Sequence, residues 1–323
     1  VELPSGTSLK IDQNNNYKIN TYFTKKKNNE ILDFNLNEII KKNKECLIQS
    51  VDIRMRSDVP IAFCLSGGID SGSLVSIASK ILNKKVSCFS IIDSDDRYNE
   101  HRNIKKIVDN YSIDHHPIFL KNIKHSFFER LSKLVDYHDS PIATISYYIH
   151  SYLLEAISKN NFRVSISGTG ADELYTGYYD HYNQYFASNP KNSKNFKQNL
   201  KYWKKFIMPN LRNPGLKNLR FYIENPFSMS NVLEKNFKLD QFSRNKFKIE
   251  NLTQKNFSRN ILRNRMLNEM FHEVVPVILK HDDHNSMMHS VENRSPFLDK
   301  NLLSLANSIP TQHLINDGYQ KFI

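Results

Sequence analysis

Apolar residues recur at helical spacing over residues 32–55, at Leu36, Ile39, Ile40, Leu47 and Val51, which predicts a helix. After Pro60 the pattern changes. The unbroken apolar run IAFCL is followed by SGGIDSGS and then by the helical SLVSIASKIL: a strand, a glycine loop and a helix. Further buried strands are expected over 86–92, 115–120 and 163–166, with helices over 99–110, 123–135 and 146–159. The last of these strands runs straight into SGTGADE. Upstream, alternation in SLKID and YKINTYF predicts two short strands after a turn at LPSGT. Residues 184–260 are polar and rich in Lys and Asn, with scattered aromatics, and read as helices and long connections. Helical periodicity returns over 261–279. It leads into HDDHNSMMHSVENRSPFLD and a last amphipathic stretch at 302–306. No internal repeat is visible.

Strands that alternate with helices imply an α/β fold, a parallel sheet with helices on both faces. Ligands of such sheets sit in loops at the carboxyl ends of the strands. Both glycine loops occupy that position.

Composition narrows the class. The 323 residues are 39% hydrophobic and 11% aromatic, a globular balance. No apolar run reaches the roughly 18 residues of a membrane span, and VELPSGTSLKID has no signal-peptide pattern. Cys46, Cys64 and Cys88 show no paired spacing, as expected of reduced thiols in a cytoplasmic protein. The net charge of +12 invites a nucleic-acid partner. Its lysines are instead interleaved with asparagines (KKKNNE, NPKNSKNFKQNLKYWKK), a compositional bias rather than a binding stripe, so no nucleic-acid partner is expected. A general attraction for polyanions such as nucleotides follows from the charge alone.

Three segments carry candidate chemistry. In Ser66-Gly67-Gly68-Ile69-Asp70-Ser71, two glycines let the backbone approach a ligand closely. The helix that follows offers free N–H groups to phosphate, and Ser66 and Ser71 add hydroxyls. Asp70 is out of place in an anion cradle unless a cation such as Mg²⁺ bridges it to phosphate oxygens. No Gly-Lys-Ser/Thr follows, so this is not a Walker-type loop. An ordinary capped glycine turn is the bland alternative. Ser167-Gly168-Thr169-Gly170-Ala171-Asp172-Glu173 is a second such loop. Its acidic pair either favours a helix N-terminus or, with Asp70, supplies a second Mg²⁺ ligand at Asp172. His281-Asp282-Asp283-His284 has the wrong spacing for metal ligands on one helix face and reads as a solvated helix end or the edge of a nucleotide site, with Asp283 there.

In this order, the three segments resemble the asparagine synthase family. Its synthetase domain carries SGGxDS, then SGxGxDE, then D-x-x-S-M-x-x-S-x-E-x-R-x-P-F-L-D, here running from Asp283 through Ser286, Met287, Ser290, Glu292, Arg294, Pro296, Phe297 and Leu298 to Asp299. The resemblance covers about residues 35–323 and implies an ATP pyrophosphatase (adenine-nucleotide α-hydrolase-like) fold with an added helical C-terminal part. It implies that ATP adenylates a carboxylate, and that ammonia turns the acyl-adenylate into an amide. By match to the family, Ser66, Gly67, Gly68, Asp70 and Ser71 hold pyrophosphate and metal, and Asp172 is the second metal ligand. Leu65, Ile91 and Gly168 line the adenosine pocket. Asp317-Gly318-Tyr319-Gln320-Lys321 resembles the segment whose lysine stabilises the phosphorylated transition state, which assigns that role to Lys321. Glu292 and Arg294 read as a buried supporting ion pair.

The resemblance also sets partners. Residues 1–25 resemble the tail of an N-terminal glutaminase domain, which implies that a glutaminase domain of the full-length chain supplies ammonia. Residues 30–323 form the synthetase domain, and the family segment continues past Ile323. A homodimer is kept open, and no membrane partner is expected. Thr169 stands at the catalytic loop position where asparagine synthetases often carry glutamate and β-lactam-forming relatives tyrosine. It cannot act as a carboxylate base. Aspartate is the first acceptor expected; a sugar carboxylate of surface-polysaccharide synthesis is the alternative. A tRNA-modifying ATP pyrophosphatase and a non-catalytic relative are the remaining readings.

Overall fold

The computed structural model describes residues 3–4, 6–22, 35–95, 99–124, 126–189, 191, 193–225 and 254–323. Part of the weakly patterned stretch 184–260, and the expected start of the first helix at 32–34, lie outside these. The chain opens on the antiparallel hairpin β1 (Thr7–Ile11) and β2 (Tyr17–Thr21), the two short strands the alternation predicts. Its register sets Leu9 opposite Ile19 and Ile11 opposite Tyr17. Helix α1 (Leu36–Arg54) starts where the Asn35 side chain accepts the Glu38 N–H, a side-chain N-cap.

The core unit follows as β3 (Ile61–Cys64), α2 (Ile69–Ser76), β4 (Ser87–Ile92), α3 (His101–Tyr111), β5 (Asp114–Phe119), α4 (Phe127–His138), α5 (Ile145–Lys159) and β6 (Val164–Ile166). A π-helical turn, Ile77–Ile81, extends α2. Then come α6 (Ala171–Tyr175), α7 (Asp180–Ser188), α8 (Lys194–Tyr202), α9 (Leu219–Glu224), α10 (Ile261–Asn268), α11 (Val275–Met287), β7 (Glu292–Arg294) and α12 (Lys300–Ser308). Among the described residues, five strands pair in the order β5-β4-β3-β6-β7, all parallel. This is the expected α/β fold, a parallel sheet with apolar residues packed on both of its faces. The fifth strand, β7, was not expected: three residues in a polar stretch carry no strand signal. It pairs Val164 with Glu292 and Ile166 with Arg294.

The period-two alternation of β3 divides the core. Phe63 and Leu65 join Cys88, Ile166, Leu74, Val75 and Ala78 on one face, with Ile39 and Val51 of α1. On the other face Ala62 joins Phe89, Val291 and the α5 residues Leu153, Leu154 and Ile157. Burying each large side chain contributes about 1.5–3 kcal/mol; truncating Phe63 to Ala would cost about 3–5 kcal/mol. The strand order reverses between β3 and β6. Going one way from β3 the sheet runs to β4 and β5; going the other way it runs to β6 and β7. At such a switch point, connections leave on opposite faces and open a crevice at the carboxyl ends of the strands. The loop after β3 carries Ser66–Ser71, and the loop after β6 carries Ser167–Glu173, so both glycine loops flank that crevice.

The helices after α6 form a platform for residues 314–321. Buried Asn199 of α8 donates to the Ile315 carbonyl (3.1 Å) and accepts from the Gly318 N–H (2.9 Å). The Tyr182 hydroxyl donates to the Gly318 carbonyl (2.6 Å). An isolated bridge joins Asn316 to Tyr319, closing a tight turn in which Asp317 and Gly318 have positive φ, as does Lys321 just beyond it.

Candidate active site

Hydroxyls of the first loop hold the loop itself. Ser66 and Ser71 Oγ lie 3.0 Å apart, and Ser71 Oγ accepts the Ser66 N–H at 3.1 Å. The Gly68 N–H reaches Ser66 Oγ at 3.3 Å. Gly67 has φ +80°, a turn an L side chain would strain. The second loop packs against the first: a Cβ on Gly168 would meet Asp70 Cβ at 3.2 Å. The two segments, a hundred positions apart, make one surface.

Lys321 closes it. Its ammonium lies 2.5 Å from Asp70 Oδ2 and 2.5 Å from Asp172 Oδ1. Its backbone N–H donates to the Tyr175 carbonyl at 3.0 Å, and the Gln320 side chain donates to the Tyr178 carbonyl at 2.5 Å. Burial works to lower the lysine pKa, but the hydrogen bonds and charges of Asp172 and Asp70 outweigh it and raise it, so the ammonium stays protonated. Burial pushes the Asp70 carboxyl up, against the pull of Lys321; a desolvated carboxylate needs a cation to remain ionised. Asp70 and Asp172 are two carboxylates within reach of one cation, a donor set that suits Mg²⁺, an oxygen-seeking ion; in this structure the Lys321 ammonium itself stands between them.

A cavity of about 840 Å³ opens beside these groups. Its lining includes Leu65, Ser66, Asp70, Ser71, Ile91, Gly168, Thr169 and Asp172, eight of the residues expected at the site. Gly67, Gly68 and Lys321 do not line it, although Lys321 contacts two residues that do. Leu65, Phe89 and Ile91 give it an apolar wall. Cys64 also faces it, with burial pushing the thiol up to about 12, so it stands there as a neutral group.

Asp283, expected at the site edge, is exposed and outside the lining; Asp282 takes the place instead. The reason is rotation. Ile278 and Asp282, four apart on α11, share the face turned to the cavity, and the next residue points about 100° away. The rotation is fixed by His281, whose ring stacks on Tyr147 at 4.3 Å, and by Asn285, which donates to the Tyr147 carbonyl (2.9 Å). His281 and His284 are thus packing residues. Glu292 and Arg294 do pair (2.8 Å), but the Glu292 side chain is 59% exposed, so the pair is not buried. Arg294 instead braces the carbonyls of Arg54 and Arg56, each at 2.8 Å.

Several site residues escaped the sequence reading. Glu173 is buried in the cavity wall and accepts the Tyr178 hydroxyl at 2.6 Å; burial raises its pKa. Asp282, His150, Tyr147 and Asn293 also line the cavity; Asp282 and Asn293 lie in segments singled out above without being assigned there themselves, and no motif marks His150 or Tyr147. The one metal-like grouping of three among the described residues is Asp180, His181 and Glu269. The Arg265 guanidinium already lies 3.3 Å from Asp180 and 2.9 Å from Glu269, so that cluster holds its own cation.

Comparison with known proteins agrees with the motifs. The profile of the family described as Asparagine synthase matches residues 42–323. Asparagine synthetase (glutamine-hydrolyzing) 1 of Bacillus subtilis is 26% identical over 336 residues, covering 98% of this chain and 51% of that protein. Putative asparagine synthetase (glutamine-hydrolyzing) 2 of Methanocaldococcus jannaschii is 34% identical over 149 residues, covering 46% of this chain and 28% of that protein. The chain therefore spans about half the length of the first relative, and the match covers less of the second. Among solved structures, an NH3-dependent NAD synthetase from Campylobacter jejuni is similar at 15% identity and a TM-score of 0.30, over 62% of this chain and 100% of that one.

Proposed function

The chain belongs to the asparagine synthase family, and on that premise we propose that its cavity binds ATP and activates a carboxylate for amidation. An acceptor carboxylate oxygen attacks the α-phosphorus of ATP, and pyrophosphate leaves. Ammonia then attacks the acyl carbon, AMP leaves with the bonding pair, and a proton is released as the amide forms. The observation that carries this is the meeting of Lys321 with Asp70 and Asp172 between two glycine loops at the sheet's switch point. Leu65, Phe89 and Ile91 offer an apolar wall to an adenine ring, and the loop after β3 faces its phosphates. Asp70 and Asp172 would hold Mg²⁺, which when bound offsets the charge of pyrophosphate. The Lys321 ammonium contributes fixed positive charge where charge develops on the phosphoryl group.

Aspartate is the acceptor proposed first, giving asparagine, with ammonia from glutamine hydrolysed in a glutaminase domain of the full-length protein. A sugar carboxylate is the second reading, favoured by Thr169: its hydroxyl, 3.4 Å from Asp282 and 3.2 Å from Ser167, replaces a loop carboxylate by a neutral group. The test is pyrophosphate release from MgATP with an ammonium salt, across aspartate and a panel of uronic acids. Release with asparagine and AMP as co-products supports the first reading. Release only with a sugar acid selects the second, and no release with any acceptor overturns the proposal.

A further inference from the structure

The cavity lining is strongly acidic, although the chain as a whole is basic. Asp70, Asp93, Glu100, Asp172, Glu173 and Asp282 all face it. Five of these have evident employment or lie toward the rim. Asp70 and Asp172 share Lys321, Glu173 takes the Tyr178 hydroxyl, Asp93 accepts the Asp95 N–H at 2.9 Å, and Glu100 is exposed. Asp282 differs. It is only 8% exposed, yet its described contacts are long: the Thr169 hydroxyl at 3.4 Å and the His150 Nδ1 at 3.9 Å. The second is beyond hydrogen-bond range and the first is near its limit. A carboxylate has about four acceptor sites, and leaving a buried one poorly paired is costly.

Asp282 is held in that state. The His281–Tyr147 stack and the Asn285 bond to the Tyr147 carbonyl clamp α11 to the start of α5, which keeps Asp282 on the face of the helix turned to the cavity. Thr169, its nearest partner, follows Gly168, which packs on Asp70. The carboxylate therefore stands next to the phosphate loops, where an acceptor must lie to reach ATP. It would repel the acceptor's reacting carboxylate and attract a cation on the same molecule.

We propose that Asp282, supported by Thr169, is a specificity-determining residue that binds a protonated amino group on the acceptor, so that the enzyme amidates acids bearing an ammonium and rejects their amine-free counterparts. This rests on the amidation reading above and narrows its acceptor class. The class embraces amino acids and amino-sugar acids alike; it excludes acceptors whose only polar groups besides the carboxylate are hydroxyls. A site built around a charged partner discriminates strongly, because the analogue lacking it leaves the buried carboxylate unpaired.

The experiment uses matched pairs: aspartate against succinate, and a 2-amino-2-deoxyuronic acid against its parent uronic acid. Acceptor-dependent pyrophosphate release is measured for the protein and for Asp282→Asn, which keeps the shape and removes the charge. The expected result is a preference of about 100-fold in kcat/KM for the amine-bearing member of the productive pair. In Asp282→Asn the preference collapses to within about tenfold, through loss on the amine-bearing acceptor alone. Equal turnover of both members by the unaltered protein overturns the proposal without recourse to the variant. So does an undiminished preference in Asp282→Asn. In both cases the amidation reading stands, because release has occurred. No release with any acceptor removes both.

Discussion

The ammonium nitrogen of Lys321 lies 2.5 Å from the Asp70 carboxylate, across 251 positions of sequence. The same nitrogen is 2.5 Å from Asp172, so one cation ties both glycine loops to the turn that ends at residue 321. Replacing it with a neutral side chain leaves the two carboxylates facing each other. Lys321→Ala is expected to lower kcat for pyrophosphate release by about 10²–10³-fold, the usual worth of a charge placed at a transition state. Its affinity for MgATP should change far less. Steady-state kinetics beside calorimetric titration of MgATP decides this; a loss confined to ATP affinity would count against the role.

Asp70→Asn separates metal and phosphate binding from folding. Asparagine is isosteric but carries no charge. Pyrophosphate release is expected to vanish while the melting temperature stays within a few degrees, because Asp70 lies in the first turn of α2, outside the core clusters. Full activity in this variant would sink the assignment of Asp70.

Gly177 is the neighbour that makes room for the triad. A Cβ there would fall 1.6 Å from Asp172 Oδ1 and 2.6 Å from Lys321 Cε, well inside contact distance. In Gly177→Ala, both side chains must move. Displacements near 1 Å in a reacting constellation cost about 100-fold, so kcat is expected to fall by about that factor with a near-wild-type circular dichroism spectrum.

Asn199 tests whether the helical platform serves the site. It is buried, and its amide holds Ile315, Gly318 and the Tyr185 hydroxyl. Asn199→Ala strands these groups, at about 1–3 kcal/mol for each buried group left unpaired. Both the melting temperature and kcat are expected to fall. Unchanged kcat in a destabilised variant would show that the turn holds Lys321 without this anchor.

These tests fall on residues that differ in how far the sequence reveals them. The β3 loop is legible because an apolar run, two glycines and a helical pattern are all local signals, and Lys321 is legible because it sits in a motif. Strand β7 is not: its three polar residues form a strand only because β6 offers a free edge. Nor does spacing say which of Asp282 and Asp283 faces the cavity, since the stack of His281 on Tyr147 fixes the rotation of α11. Asn199 lies in a Lys/Asn-rich stretch, where one structural asparagine looks like its solvated neighbours.

The pH dependence of stability has a sign set by His181. Burial lowers its pKa, but the Glu269 carboxylate, 2.6 Å away, and Asp180 outweigh burial and raise it above 6.5. The native state therefore holds the proton more tightly than the unfolded chain. This contribution is full below about pH 6.5 and is lost as pH rises through the raised value. The melting temperature is expected to decline from pH 6 to pH 9, and His181→Asn should flatten the decline. A slope unaltered by that change would place its origin elsewhere.

The distance in sequence between Asp70 and Lys321 also orders events during translation. The strand that carries the first loop and the strand that carries the second leave the ribosome well before residue 321. Until the turn at Asn316–Tyr319 docks on α8, Asp70 and Asp172 face each other without their shared cation. Growing polypeptides thus pass through a stage in which the sheet can form while its crevice remains unarmed. Docking of a late segment, rather than closure of the sheet, is the step that completes the site, so a half-made chain lacks the cation that joins its two glycine loops.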